Sequence, residues 1–185
     1  MKYSVSAIVL GFFASLNAGQ VTITGVTYVG TGCKPGTASV SYSEALQTLT
    51  ILFDEFEPYT PPLHIKNCNV NIQFHYPPGY QFTLSKYDYT GYAQLDRGVI
   101  FKQTSSYWFP GFVSGGPTFQ FTFPGPYYGD YTKTLGSTIW GWSSCGVSTT
   151  LRINTQARLE GLDIPPIDPK VNKNQHVYGL NWRNC

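Results

Sequence analysis

The chain has 185 residues and a net charge of +2, with 12 Lys and Arg against 10 Asp and Glu. Charged residues make up only 12%, about half of the usual ~25%, and no run of Lys and Arg supplies the electrostatic footprint of a nucleic-acid binder. Apolar residues at 42% exclude a disordered chain, and 16% aromatics with 19 Gly and 13 Pro is the composition of strands joined by turns.

The N-terminus has Lys2, an apolar stretch from Val5 to Phe13, and small residues at Ala14, Ser15, Ala18 and Gly19. The apolar stretch is too short to cross a bilayer, and the pattern is that of a signal peptide over residues 1–18, cleaved after Ala18 or Gly19. The expected product is a secreted, extracellular domain over residues 19–185, with no membrane span. It contains no N-x-[ST] sequon, so N-glycosylation is not expected.

Beyond the leader, period-two alternation dominates. Strand-like runs follow in order: Thr37 to Tyr42; Leu49, Ile51 and Phe53; Val70, Ile72, Phe74 and Tyr76; Tyr80, Phe82 and Leu84; Val99 to Phe109. Then come Phe119, Phe121 and Phe123; Ser137 to Trp140; Leu151, Ile153, Thr155, Ala157 and Leu159; and Tyr178, Leu180 and Trp182. Turn signals separate them at Lys34-Pro35-Gly36, Pro77-Pro78-Gly79, Pro110-Gly111, Gly115-Gly116-Pro117 and Pro124-Gly125-Pro126. Two longer loops are expected, from Asp54 to Asn67 and from Glu160 to Gln175. No stretch has sustained helical periodicity. The fold class is all-β, an antiparallel β-sandwich of jelly-roll or immunoglobulin-like type.

The four cysteines, Cys33, Cys68, Cys145 and Cys185, are an even set in a chain with a secretory leader. They imply two disulfides with three possible connectivities. Their spacing lacks the C-x₂₋₄-C pairs of a zinc site. Local pairing of Cys33 with Cys68 and of Cys145 with Cys185 is expected, because it needs no chain crossing. Cys68 shares the parity of Val70 and Ile72, so its disulfide belongs on the buried side.

The candidate chemistry is thin. Asp88, Asp96 and Asp130 lie in Tyr- and Gly-rich segments, where they are candidates for paired hydrolase carboxylates or calcium ligands; the plain alternative is turn capping. His64, His75 and His176 are isolated, so no metal site is expected. The segment Trp142-Ser143-Ser144-Cys145-Gly146 lacks the spacing of a nucleophile elbow. No catalytic residue and no cofactor is assigned. Aromatics are the strongest positive feature: Tyr107-Trp108-Phe109, Tyr127-Tyr128 and Trp140-Gly141-Trp142 each place neighbouring rings. Adjacent strand residues face opposite sides, so at least one ring of each group is expected outward, where an exposed Tyr or Trp face suits a sugar ring; the plain alternative is that these rings fill the core or cover its edges. The outward row Arg152, Asn154, Gln156 and Arg158 suits an acidic or hydroxylated ligand, or is the solvated face of a sheet.

Several motifs run through nearly the whole chain. They include Gly32-Cys33 with Pro35-Gly36, Lys66-Asn67-Cys68, Asp88-Tyr89 with Gly91-Tyr92-Ala93 and Leu95-Asp96, Trp142-Ser143 with Cys145-Gly146, and Tyr178-Gly179-Leu180 with Trp182-Arg183 and Cys185. With these the chain resembles a family of small secreted, mostly fungal proteins catalogued as a domain of unknown function. Ser144 stands where that family usually has Pro, and residues 162–175 do not follow its pattern. The resemblance implies a secreted four-cysteine β domain and no reaction. The function expected is therefore non-catalytic binding of a cell-wall polysaccharide or an extracellular partner protein, as a wall-associated or effector candidate. A carbohydrate-active hydrolase using paired Asp residues, and a structural or antimicrobial protein, are the alternatives.

Overall fold

The computed structural model describes residues 21–59, 64–111, 116–136, 141–161 and 171–185. The expected leader and the expected strand from Ser137 to Trp140 lie outside the described residues. Among those described there are nine strands and no helix: β1 (Thr22–Val29), β2 (Ala38–Ser43), β3 (Thr48–Phe53), β4 (Ile65–Leu95), β5 (Ile100–Trp108), β6 (Thr118–Pro124), β7 (Tyr127–Gly136), β8 (Gly146–Glu160) and β9 (Val171–Asn184). Every pairing is antiparallel.

The 31-residue β4 organises the molecule. Its first half pairs with β1 and β8, its second half with β9 and β7. One layer therefore runs β1-β4-β8-β5-β6 and the other β2-β3-β9-β4-β7. The crossing falls at Pro77-Pro78-Gly79, where the register shifts between His75 and Tyr80. Two prolines cannot donate ladder bonds there, and Gly79 has a φ of 83°, the left-handed region that favours glycine. The chain doubles back from one layer to the other, so Phe82 meets Phe74 and Tyr76 with ring centroids 5.1 and 5.7 Å apart. This is the expected β-sandwich, with β4 shared by both sheets. The turn signal at 77–79 marks a change of layer inside one long strand rather than a boundary between two short ones.

Alternation sets what lies between the layers. Cys68, Val70, Ile72, Phe74 and Tyr76 are buried, while Asn69, Asn71, Gln73 and His75 face out. Opposite them Tyr87 stacks on Phe119 at 4.0 Å and meets Tyr107 at 5.9 Å, and Tyr131 meets Phe101 and Phe123. Full burial of each such ring contributes about 1.5–3 kcal/mol. A polar seam crosses this core. Gln103 donates to Thr155 Oγ1 at 2.7 Å, and Ser105 shares a 2.8 Å bond with the same oxygen.

The structure pairs Cys33 with Cys68 and Cys145 with Cys185, as local pairing requires. The first is fully buried. The second has both residues exposed and sits beside the crossing, where Cys185 N–H donates to Gly79 O at 2.9 Å. Both expected loops are shorter than the sequence suggests, since β4 begins at Ile65 and β9 at Val171. β1 and β7 are strands that the pattern did not announce.

Candidate functional site

At the crossing end, a cleft of about 870 Å³ is lined by Glu44, Gln47, Trp142, Leu180, Asn181 and Trp182, among others. One wall is the turn between β2 and β3. Gln47 there has a φ of 50°, a left-handed conformation uncommon for a non-glycine residue. Its side chain compensates: Nε2 donates to Glu44 O at 2.7 Å, and Oε1 accepts from Tyr42 Oη at 3.1 Å. Leu180 N–H donates to Gln47 O at 2.8 Å, tying the turn to β9. Leu46 projects from the same turn and is 74% exposed.

The other wall carries Trp142. Ser143 N–H donates to Phe82 O at 2.8 Å, and Ser143 Oγ accepts from Phe82 N–H at 2.9 Å. Tyr76 Oη reaches Ser144 O at 2.8 Å. These bonds fix the segment against β4. The Arg183 guanidinium lies 3.9 Å from the Trp142 ring centre, a cation–π contact. Trp182 forms the floor, packed on Phe82 at 4.8 Å and Tyr76 at 5.5 Å. Trp142 and Trp182 each lie three residues before a cysteine of the exposed disulfide, which thereby joins the two tryptophan-bearing segments.

The other expected residues scatter over three places. Trp108, Arg152 and Arg158 share the outer face of the first layer, where Trp108 is the register partner of Arg152 and Arg158 lies six residue steps further along β8. Arg158 and Lys102 both approach Glu160, at 3.4 and 3.9 Å. Tyr107 does not join them: it is 2% exposed and packs in the core. The alternation that turns Trp108 outward turns its neighbour inward, so Tyr107 is removed from the candidate ligand contacts.

A third place is the edge near the β6–β7 turn. Tyr128 is 59% exposed, and its hydroxyl donates to Asp96 Oδ1 at 2.5 Å. That bond raises the Tyr128 hydroxyl above its ordinary pKa, since ionising it beside a carboxylate is unfavourable. Tyr127 is half-buried against Phe123 and donates to Asp130 O at 2.7 Å. Asp88 and Asp130 lie in strands rather than turns. Asp88 accepts from Thr134 at 2.6 Å and pairs with Lys86 at 2.8 Å. Burial would raise its pKa, but Lys86 and Thr134 together hold it below the ordinary value. Asp88 is opposite Thr134 and Asp130 opposite Tyr92, so the two carboxylates are four residues out of step. That is about 13 Å along the strands, wider than the ~6.5–9.5 Å of an inverting hydrolase. Among the described residues no cluster of His, Cys, Asp or Glu suits a metal ion. Trp140 lies outside the described residues.

Glu44, Gln47, Asn181 and Trp182 are site residues that sequence reasoning missed. Trp182 ends an inward alternation, where the core gives out and the ring reaches the surface. The others have no local signature, because the cleft assembles three segments that are far apart in the chain, around Gln47, Trp142 and Asn181.

What these features define is a class, a disulfide-stapled antiparallel β-sandwich with an aromatic cleft at one end. A family model described as a domain of unknown function (DUF4360) matches residues 19–185, and the chain belongs to that family. An uncharacterized secreted protein of Arthroderma benhamiae is 36% identical over 178 residues, which span 90% of this chain and 72% of that protein. Among solved structures, TmCBM61 in complex with β-1,4-galactotriose is similar at 8% identity and a TM-score of 0.28, over 88% of this chain and 90% of that one. Infectious bursal disease virus Gx strain is similar at 11% identity and 0.34, over 97% and 41%. Neither of these two likenesses bears on function.

Proposed function

We propose that this chain is a secreted, extracellular, non-catalytic protein of one β domain that binds neutral cell-wall polysaccharide through the cleft. The observation that carries this reading is the pair Trp142 and Trp182 on an open cleft of about 870 Å³, beside Glu44 and Asn181. Sugar rings present apolar C–H faces that pack on indole, while carboxylate and amide groups suit their hydroxyls. The cleft is held ready by the Gln47 turn, the Ser143 bonds and the exposed disulfide, so little ordering is required on binding. The secreted relative and the signal-like N-terminus support export.

The test is retention of the mature protein on insoluble chitin, cellulose and β-glucan, with released reducing sugar measured in the same tubes. Retention without sugar release is expected on at least one. Trp142→Ala should weaken it about tenfold. Unchanged retention in that variant sinks the cleft as the site, and sugar release sinks the non-catalytic reading.

A further inference from the structure

We propose that the outer face of the first layer is a second binding surface, for a carboxylate-bearing polysaccharide, with acid groups held at Arg152 and sugar faces on Trp108. The face is built in rows across neighbouring strands. One row reads Thr27, Asn71, Arg152, Trp108, and the next reads Val29, Asn69, Asn154, Ser106, Thr118. Directly opposed side chains on one face stand about 4.5–5.5 Å apart at Cβ, so the exposed Arg152 and the half-buried Trp108 present a cation and an indole side by side.

The charge on this face is one-sided. Arg152, Arg158 and Lys102 project from it, and Glu160 at the far end meets the latter two. Among the described residues no carboxylate pairs with Arg152. The two arginines are six residue steps apart along β8, about 20 Å of strand, a length suited to a short run of sugars rather than a single small anion.

Polar groups along that length are already oriented. Asn154 Nδ2 donates to Asn69 Oδ1 at 2.7 Å, which leaves the Asn69 nitrogen as a donor and the Asn154 oxygen as an acceptor toward solvent. Beyond the Arg152 row, a polar notch of about 480 Å³ opens, with Gln73, Pro110, Ser148 and Thr150 in its lining and no carboxylate. The chemistry favours this occupant over an acidic protein, because apart from Trp108 and the edge residue Val29 the rows present polar and charged groups rather than the apolar centre that protein interfaces are built around. A guanidinium meets a carboxylate in two parallel hydrogen bonds, and the neighbouring indole selects a ligand that also offers an apolar ring face.

The experiment is affinity electrophoresis of the mature protein in gels containing polygalacturonate, the same polymer fully methyl-esterified, or dextran sulfate. Retardation by polygalacturonate is expected, with about tenfold weaker binding of the ester. Arg152→Gln and Trp108→Ala should each weaken polygalacturonate binding about tenfold. Arg152 is exposed, so its variant is expected to keep the wild-type melting temperature. Trp142→Ala should leave this binding intact, which separates it from the cleft. Equal binding of acid and ester, or an Arg152→Gln variant that binds as wild type, overturns the proposal. Dextran sulfate binding as tight as polygalacturonate and indifferent to Trp108→Ala also overturns it, since charge alone then suffices.

Discussion

The two ends of the sandwich carry one disulfide each, closing loops of nearly equal length, with sequence separations of 35 and 40. A chain-entropy account gives them nearly equal weight, about 4 kcal/mol apiece. Their surroundings are opposite. Cys33 and Cys68 are sealed in the core near Phe56, which packs on His176 and Phe53. There Tyr131 donates to Asn174 at 2.6 Å, and Asn174 donates to Phe56 O at 2.6 Å. Cys145 and Cys185 lie in solvent beside an open cleft. The comparison teaches that loop length sets how much a crosslink restrains the unfolded chain, while burial decides whether its loss damages the core or a binding surface.

Removing the buried crosslink is the severest way to break the comparison. Cys33→Ala with Cys68→Ala should forfeit about 4 kcal/mol of loop restraint and add a packing void, enough to unfold a marginally stable protein. Urea denaturation followed by far-UV circular dichroism measures it.

Cys145→Ser with Cys185→Ser should cost up to about 4 kcal/mol by the same restraint, without the void, and should abolish cleft binding while the remaining fold persists. Mild reduction sharpens the contrast. Alkylation and peptide mapping should find Cys145 and Cys185 labelled well before Cys33 and Cys68, because exchange requires access to the sulfur. Simultaneous labelling of all four would show that burial does not divide them.

A pH series probes the closed end. Burial lowers the pKa of His176 from 6.5 to about 3, and the rings facing it, Tyr89 and Tyr178, are pushed upward by burial. The folded value lies below the unfolded one, so stability is complete above about pH 6.5 and declines as pH falls toward 3. Between pH 7 and pH 4 the loss is on the order of 3 kcal/mol, read as a falling urea midpoint. His176→Gln should flatten that slope, and an unchanged slope would assign the acid sensitivity elsewhere. Smallest of all, Tyr128→Phe removes a solvent-exposed hydrogen bond to Asp96, and its melting temperature should change by no more than about 0.5 kcal/mol of stability allows.

Much of the closed end was legible in the sequence. Cys68 shares a parity with Val70, Ile72 and Phe74, and that parity is a direct statement about which side faces the core. β1 was not legible, because a register shift between Ile23 and Gly25 interrupts its alternation. β7 was obscured by Gly129 and by its mixture of Tyr, Thr and Lys. Asp88 sits between the buried Tyr87 and Tyr89, an alternation that marks a strand even though Asp as a residue type favours turns. The cleft at the open end leaves no local trace, since Gln47, Trp142 and Trp182 come from three segments brought together by the pairing of β9 with β3 and β4, by the Ser143 bonds to Phe82 and by a crosslink.

The sharing of β4 between the layers also bears on how the protein comes apart. Its backbone hydrogen bonds are divided among β1, β8, β9 and β7, so neither layer can be peeled away without stripping ladder bonds from the other. Such a molecule has no semi-independent half to lose first, and its opening should be nearly all-or-none. The slowest-exchanging amides should then fall along β4 on both sides of Pro77. Proteases should find few partly unfolded forms to cut, because cleavage needs an opened backbone and here opening means losing both layers at once.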